Sequence, residues 1–352
     1  MKAIATFLVA ALVGVASPAL AGSIVYVPMG GADEVLVIDA AKDSIVGTID
    51  GVEAVHGLAG TPDGRYLVAG SFSEREAGEP ALPPKPEGMS EAEHQAHHVA
   101  PAGDAATERK AVSFVSLIRT ADRTVTHRIE VPGAVHHTAV APDGRHAVAT
   151  HPNEGGISVI DLAQLKVLKT VMTGPLPNYA VFRADGKRVY VSNAGNDTIS
   201  EINTEDWIVR RTMAVGKSPG HMVLSADGRT LYVNNVEAGT VSILSLEGGA
   251  IVRTYAVGGE LHGIDLSDDG KTLFVSASEQ NKLVAIDLGG GPTRSASLAP
   301  FPHHLMAIRG AGKLYVSSAG EPKIWVIDQR SLQLRGEIAI TGKGHQMAIV
   351  NR

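Results

Sequence analysis

Histidine is the residue through which this sequence can do chemistry. Neutral imidazole binds zinc, copper, iron and nickel, and is a poor ligand for magnesium or calcium. There are 14 histidines and no cysteine. Several histidines fall into a register. Seven residues before the Asp of successive Asp-Gly pairs stand His56, His136, Asn178, Gly220 and His262. The same step back from a degenerate Ala311-Gly312 gives His304. His345 aligns with His304 through the runs His345-Gln-Met-Ala-Ile and His304-Leu-Met-Ala-Ile. Five of seven repeat positions therefore carry His, while His137 and His303 adjoin members of the series and His221 follows Gly220.

The elements that position them follow from the same repeat. The pairs at Asp143, Asp185, Asp227, Asp269 and Ala311 are 42 residues apart, and the gap from Asp63 to Asp143 is longer by 38. Each pair is preceded by a short apolar run. It is followed by an alternating strand such as Arg188-Val-Tyr-Val-Ser-Asn193, a third strand ending like Val159-Ile-Asp161, and a fourth like Val167-Leu-Lys-Thr-Val171. Four strands at this period, with turn residues between them, predict the blades of an all-β propeller. The blades count to seven. The last inner run, His345 to Val350, has no outer strands after it, whereas residues 24–49 offer three strands and no inner one. The N- and C-terminal strands are therefore expected to share one blade, which leaves no open edge.

Radial repetition brings equivalent residues of all blades towards one axis, at the channel mouth where each inner strand begins. His56, His136, His137, His221, His262, His303, His304 and His345 are the expected metal ligands there. A solvated channel lined by polar side chains is the alternative. Met222, Met306 and Met347 lie two residues beyond the ring positions and would suit Cu(I) as a thioether layer, or simply fill the core. The insertion, Glu74 to Lys110, is rich in Pro, Glu and His. Inside it Ser90-Glu-Ala-Glu93 reads as a capping box, followed by His94, His97 and His98 on one helix face. These three form a possible second ligand set or a solvated face. The insertion joins the second and third strands of its blade, which places it over the mouth that holds the ring. His127, His146 and His151 fall on outer strands or turns and are given no role.

Lys2, the apolar run Ala3–Ala16 and Ala19-Leu-Ala21 form a secretory signal, so the propeller is expected over residues 22–352. The expected destination is the periplasm, with full secretion second. A formal charge of −6 gives no electrostatic case for nucleic acid or an anionic membrane. The lack of cysteine removes disulfides, thiolate ligands and c-type haem attachment. No nucleophile elbow or phosphate-binding loop occurs.

Tyr190-Val-Ser-Asn193, Tyr232-Val-Asn-Asn235 and Tyr315-Val-Ser-Ser318, each after a Gly turn, resemble the YVTN family of β-propeller repeats. That resemblance implies the fold and leaves the function open. The ring is similar to the all-His copper centres of nitrous-oxide reductase and thiocyanate dehydrogenase, which implies copper and redox chemistry at these histidines. This chain is shorter, has no cupredoxin domain, and carries Asn178 in one blade. The expected cofactor is copper, with zinc and iron as alternatives. The expected role is that of a copper-dependent oxidoreductase with a periplasmic electron-transfer or metal-transfer partner. The alternatives are a zinc or copper metallochaperone or binding protein, and a non-catalytic or haem-handling scaffold.

Overall fold

A computed structural model describes residues 22–77 and 111–350. It is a seven-bladed propeller with four antiparallel strands to a blade. In the closing blade, strand 348–350 pairs with Ile24–Met29 through Tyr26 opposite Ala348 and Ile24 opposite Val350. The chain ends thus meet in one sheet, as the sequence predicts. We number this blade one and count on in chain order, so that the innermost strands of blades two to seven begin near residues 55, 138, 177, 219, 261 and 302.

The turns show why this sequence makes hairpins at a fixed interval. Gly64, Gly144, Gly186, Gly228 and Gly270 all sit at φ between +65° and +70°, a region that glycine enters without strain. The preceding Asp accepts a hydrogen bond from the N–H two residues on, for example Arg145 N to Asp143 Oδ1 at 2.8 Å and Lys187 N to Asp185 Oδ1 at 3.0 Å. Carboxylate and glycine together fix the turn.

The hydrophobic core is divided. Seven buried clusters fill the seams between neighbouring blades, one cluster to each seam. Val-Tyr-Val strands supply alternate side chains to two seams at once, so Tyr190 and Val189 face different neighbours. The axis itself is left to polar groups. Met222 and Met347 are buried in seams and Met306 packs against one, so all three are core filler.

In blade two the second strand, Tyr66–Ser71, pairs with Ala111–Arg119, which places the insertion between second and third strands as expected. Its first residues are tied down. Arg75 and Glu76 pair with Val112 and Ala111, and Glu74 accepts hydrogen bonds from Ala134 N and Asn153 Nδ2. His94, His97 and His98 lie outside the described residues. No helix among the described residues is long and apolar enough to cross a membrane.

Candidate metal centre

In five of the seven blades the pairing of the innermost strand slips by one residue where it reaches the axis. The slip falls between Val55 and Gly57, Pro177 and Ala180, Pro219 and Met222, Leu261 and Ile264, and Pro302 and Leu305. A bulge bends the strand and re-aims its side chains. Two consecutive residues per blade therefore reach the axis, and they form two layers. The outer layer is His56, His136, Asn178, Gly220, His262, His303 and His345. The deep layer is Gly57, His137, Tyr179, His221, Gly263, His304 and Gln346.

This corrects the register read from the sequence. His303, not His304, is the partner of His262, because Pro302 opposes Ser318 as Leu261 opposes Ala277. His345 aligns with His303 for the same reason, through Tyr26 opposite Ala348 and Tyr315 opposite Met306. The turn of blade seven is Gly310-Ala311: Ala311 N donates to Ile308 O at 3.0 Å as Gly270 N does to Ser267 O at 2.9 Å. With no Asp to mark it, the turn is misplaced by one residue when sought in the sequence. All eight expected histidines nonetheless come together.

In the outer layer the imidazoles stack around the rim. Ring centroids are 4.6 Å apart for His56 and His136, 4.3 Å for His56 and His345, and 3.5 Å for His262 and His303. Phe72, where the chain leaves for the insertion, lies 5.3 Å from the His56 ring and 5.8 Å from that of His136. His56 Nδ1 donates to the His136 carbonyl at 2.7 Å, and His136 Nδ1 to that of Asn178 at 3.3 Å. His345 Nδ1 and Asn178 Oδ1 are buried with no hydrogen-bond partner among the described residues.

The deep layer is tighter. His137, His221 and His304, from blades three, five and seven, are 0 %, 6 % and 4 % exposed. Their ligand atoms all lie within 4.8 Å of one another. His137 Nδ1 is 2.8 Å from the Asn178 carbonyl, which can only accept, so its proton sits on Nδ1 and its Nε2 is a bare lone pair. His137 Nε2 and His221 Nε2 face each other at 3.1 Å, and His262 Nε2 and His304 Nε2 at 3.2 Å. A ring with its proton on Nε2 closes such a contact as an N–H···N hydrogen bond, and an ion closes it where both nitrogens are bare. Two imidazoles on one tetrahedral ion, each about 2.0–2.1 Å from it, place their nitrogens roughly 3.3 Å apart. Gly57 and Gly263 make room for this packing. A Cβ at Gly57 would meet His137 Cα at 2.8 Å, and one at Gly263 would meet Leu305 N at 2.5 Å.

Burial, and then the charge of neighbouring histidines, holds the imidazoles below the ordinary range. His136 and His345 fall to about 3 and His303 to about 4. His137, His221, His262 and His304 lie well below their usual value, and His56 is lowered chiefly by burial. At neutral pH all eight are uncharged, the form that ligates metals. Seven of them, all but His345, make three overlapping candidate groups: His56 with His136 and His137, His137 with His221 and His304, and His262 with His303 and His304.

Two deep-layer residues were not among the expected ligands. The Tyr179 ring lies 4.9 Å from His137 and 4.7 Å from His221. Burial pushes its phenol up to about 12, while a hydrogen bond from Gln346 holds it back in part. Gln346 spans three blades: Oε1 accepts from Leu58 N at 3.0 Å and Thr138 N at 3.2 Å, and Nε2 donates to Thr138 O at 3.0 Å. Below the deep layer the channel opens into a cavity of about 480 Å³ that reaches Tyr179, His221, His304 and Asp265. Asp265 is paired with Arg309 and accepts from Ala307 N.

The remaining histidines are elsewhere. His127 is on the outermost strand of blade two, and His146 bonds Asp143 Oδ2 at 2.7 Å. His151 is not peripheral: it ends the second strand of blade three, fully buried, bonding Ala134 O at 3.1 Å and Ser158 Oγ at 2.8 Å. It fills the place that Asn193 and Asn235 hold in the next two blades, each donating to a serine.

Residues 146–291 match the family model described as lactonase, 7-bladed beta-propeller. No curated protein matches the sequence. Among solved structures, a putative 6-phosphogluconolactonase from Bacteroides fragilis is 15% identical, with 95% of this chain and 99% of that one covered and a TM-score of 0.72. The periplasmic gluconolactonase of Pseudomonas aeruginosa is 18% identical over 94% and 98%, at 0.65. Hydrazine synthase of Kuenenia stuttgartiensis is 13% identical over 92% and 100%, also at 0.65. These likenesses are of fold.

Proposed function

We propose that this propeller is a periplasmic transition-metal protein whose channel histidines hold copper for redox chemistry. The observation that carries the reading is the convergence of buried neutral imidazoles on the axis, with the Nε2 atoms of His137 and His221 at 3.1 Å and those of His262 and His304 at 3.2 Å, close to the spacing of two ligands on one ion. Seven neutral imidazoles in three overlapping groups exceed the needs of one tetrahedral ion. They suit copper first, with zinc and iron as the other metals that imidazole favours. The chain's own residues bind and orient: backbone carbonyls at His136 and Asn178 fix which nitrogen is free, and the seams exclude water. Bound copper would supply the one-electron chemistry that no side chain here supplies. Export to the periplasm is supported by the apolar leader ending in Ala19-Leu-Ala21, and an electron-transfer protein of that compartment is the partner the reading implies.

A second reading, a periplasmic metallochaperone for zinc or copper, is favoured by one feature. His137 and His304 each belong to two of the three groups, so an ion could pass between groups by exchanging one ligand at a time.

Elemental analysis of the protein purified from the periplasm tests both. More than one copper, with visible absorption that bleaches on reduction, is expected. A single colourless ion surrendered to a chelating partner would favour the chaperone. Full metal retention in a His262→Ala/His304→Ala double variant would sink both and leave a scaffold with a wet channel.

A further inference from the structure

The deep triad is not symmetrically enclosed. The outer layer covers it towards the mouth with stacked imidazoles and Phe72. In the opposite direction it meets the cavity of about 480 Å³, which takes in His221 and His304 directly. The register fixes which face this is. Val55, at the start of its strand, opposes Ser71, where the insertion begins, while the cavity is lined further along at Leu58 to Gly60. The cavity thus opens on the face away from the insertion. A metal with three protein nitrogens keeps a position for a fourth ligand, and that is the pattern of catalytic rather than structural sites.

The cavity has the size of a small-molecule site. Its walls are mostly apolar, with Met222, Ile264, Leu305 and Met306 among them. Its one carboxylate, Asp265, is already matched by Arg309. A cationic ligand would find no free counter-charge on these walls, and burying it unpaired is costly, whereas an ion held by three neutral imidazoles keeps its full charge for a neutral or anionic ligand. One hydroxyl is available beside the triad. Tyr179 lines the cavity, and its ring lies 4.9 Å from that of His137 and 4.7 Å from that of His221.

Resting on the metal reading above, we propose that this cavity is the substrate pocket of the same site. A small neutral or anionic molecule enters from the face away from the insertion and ligates an ion held by His137, His221 and His304. The Tyr179 hydroxyl donates a hydrogen bond to it. Tyr179 is here a binding and positioning residue.

Azide added to cobalt-loaded protein at mildly alkaline pH is the probe, since it ligates through one nitrogen and keeps lone pairs that accept a hydrogen bond, and it is read by the visible bands of the ion. Azide should shift these bands in the wild type. Ala139→Trp, which fills the cavity wall and touches no ligand, should keep its cobalt and slow the shift at least about tenfold. Tyr179→Phe should keep its cobalt and weaken azide binding by roughly fivefold, the worth of one hydrogen bond. Equal rates in Ala139→Trp, or equal affinity in Tyr179→Phe, would overturn the pocket while leaving the metal site standing. Because Tyr179→Phe removes only a hydroxyl, it decides the matter even if the tryptophan variant does not fold. Wild-type protein that takes up no cobalt would overturn the metal reading, and this one with it.

Discussion

The seams between the blades and the axis they surround are built from opposite materials. Each seam is a closed apolar cluster such as Tyr190, Ile199, Leu231 and Leu244, while the axis carries eight histidines, a tyrosine and a glutamine. The division teaches where each kind of free energy resides. Stability comes from apolar area removed from water in seven separate places. The axis contributes little to it and is free to specialise. A change in one region should therefore leave the other's property untouched.

The sharpest attempt to break that separation is to delete residues 344–352. This removes the strand that closes blade one, with Met347, Ala348 and Val350 from two seams. The expected loss is on the order of 5 kcal/mol or more, seen as a large drop in melting temperature together with loss of metal. A deletion that melts as the wild type does would mean that the ring closes without this strand. Leu244→Ala, a single buried seam residue, should cost about 2–5 kcal/mol in urea unfolding and leave metal content unchanged. The converse variants are on the axis. His304→Ala belongs to two ligand groups and should weaken metal binding by roughly a hundredfold or more. His345→Ala, at the rim, should do so by roughly tenfold (compare the range for outer-shell changes). Both should unfold within about 1 kcal/mol of the wild type, and His127→Ala should alter neither property. Equal losses of metal from His304→Ala and His345→Ala would merge the two layers into one.

The most graded effect is that of pH. In the metal-free protein His136, His303 and His345 take up protons only near pH 3 to 4, whereas in the unfolded chain they do so near pH 6.5. Folded values below unfolded ones mean that stability is complete above about pH 6.5. It should fall steadily as the pH drops towards 4. Urea unfolding at a series of pH values should show this slope, and His345→Asn should flatten it. A wild-type slope unaffected by that change would remove the axis from the balance altogether.

Most of the fold could be read in advance because a 42-residue interval repeats turn chemistry and strand pattern together. The convergence of eight histidines on the axis could be read for the same reason. Their division into two layers could not, since a bulge adds one residue to a strand without marking the sequence. The missing Asp in the turn of blade seven then hid the shift between His303 and His304. A signal was present: Pro177, Pro219 and Pro302 each precede the two axial residues, and alignment on proline gives the observed register. Tyr179 and Gln346 escaped because neither is a metal ligand by type, and only the closed ring brings them beside His137.

Closure by the final strand also sets an order in time. As the chain is made from its N-terminus, blades two to seven can form seams in sequence, but His345 and Gln346 come after all of them. Until they arrive, Leu58 N and Thr138 N lack their Gln346 acceptor and the outer layer lacks one imidazole. The site is thus a product of completed synthesis, and a nascent or threaded chain offers an ion only fragments of it. If the chain crosses a membrane unfolded, the metal it ends with is the one it meets on the far side.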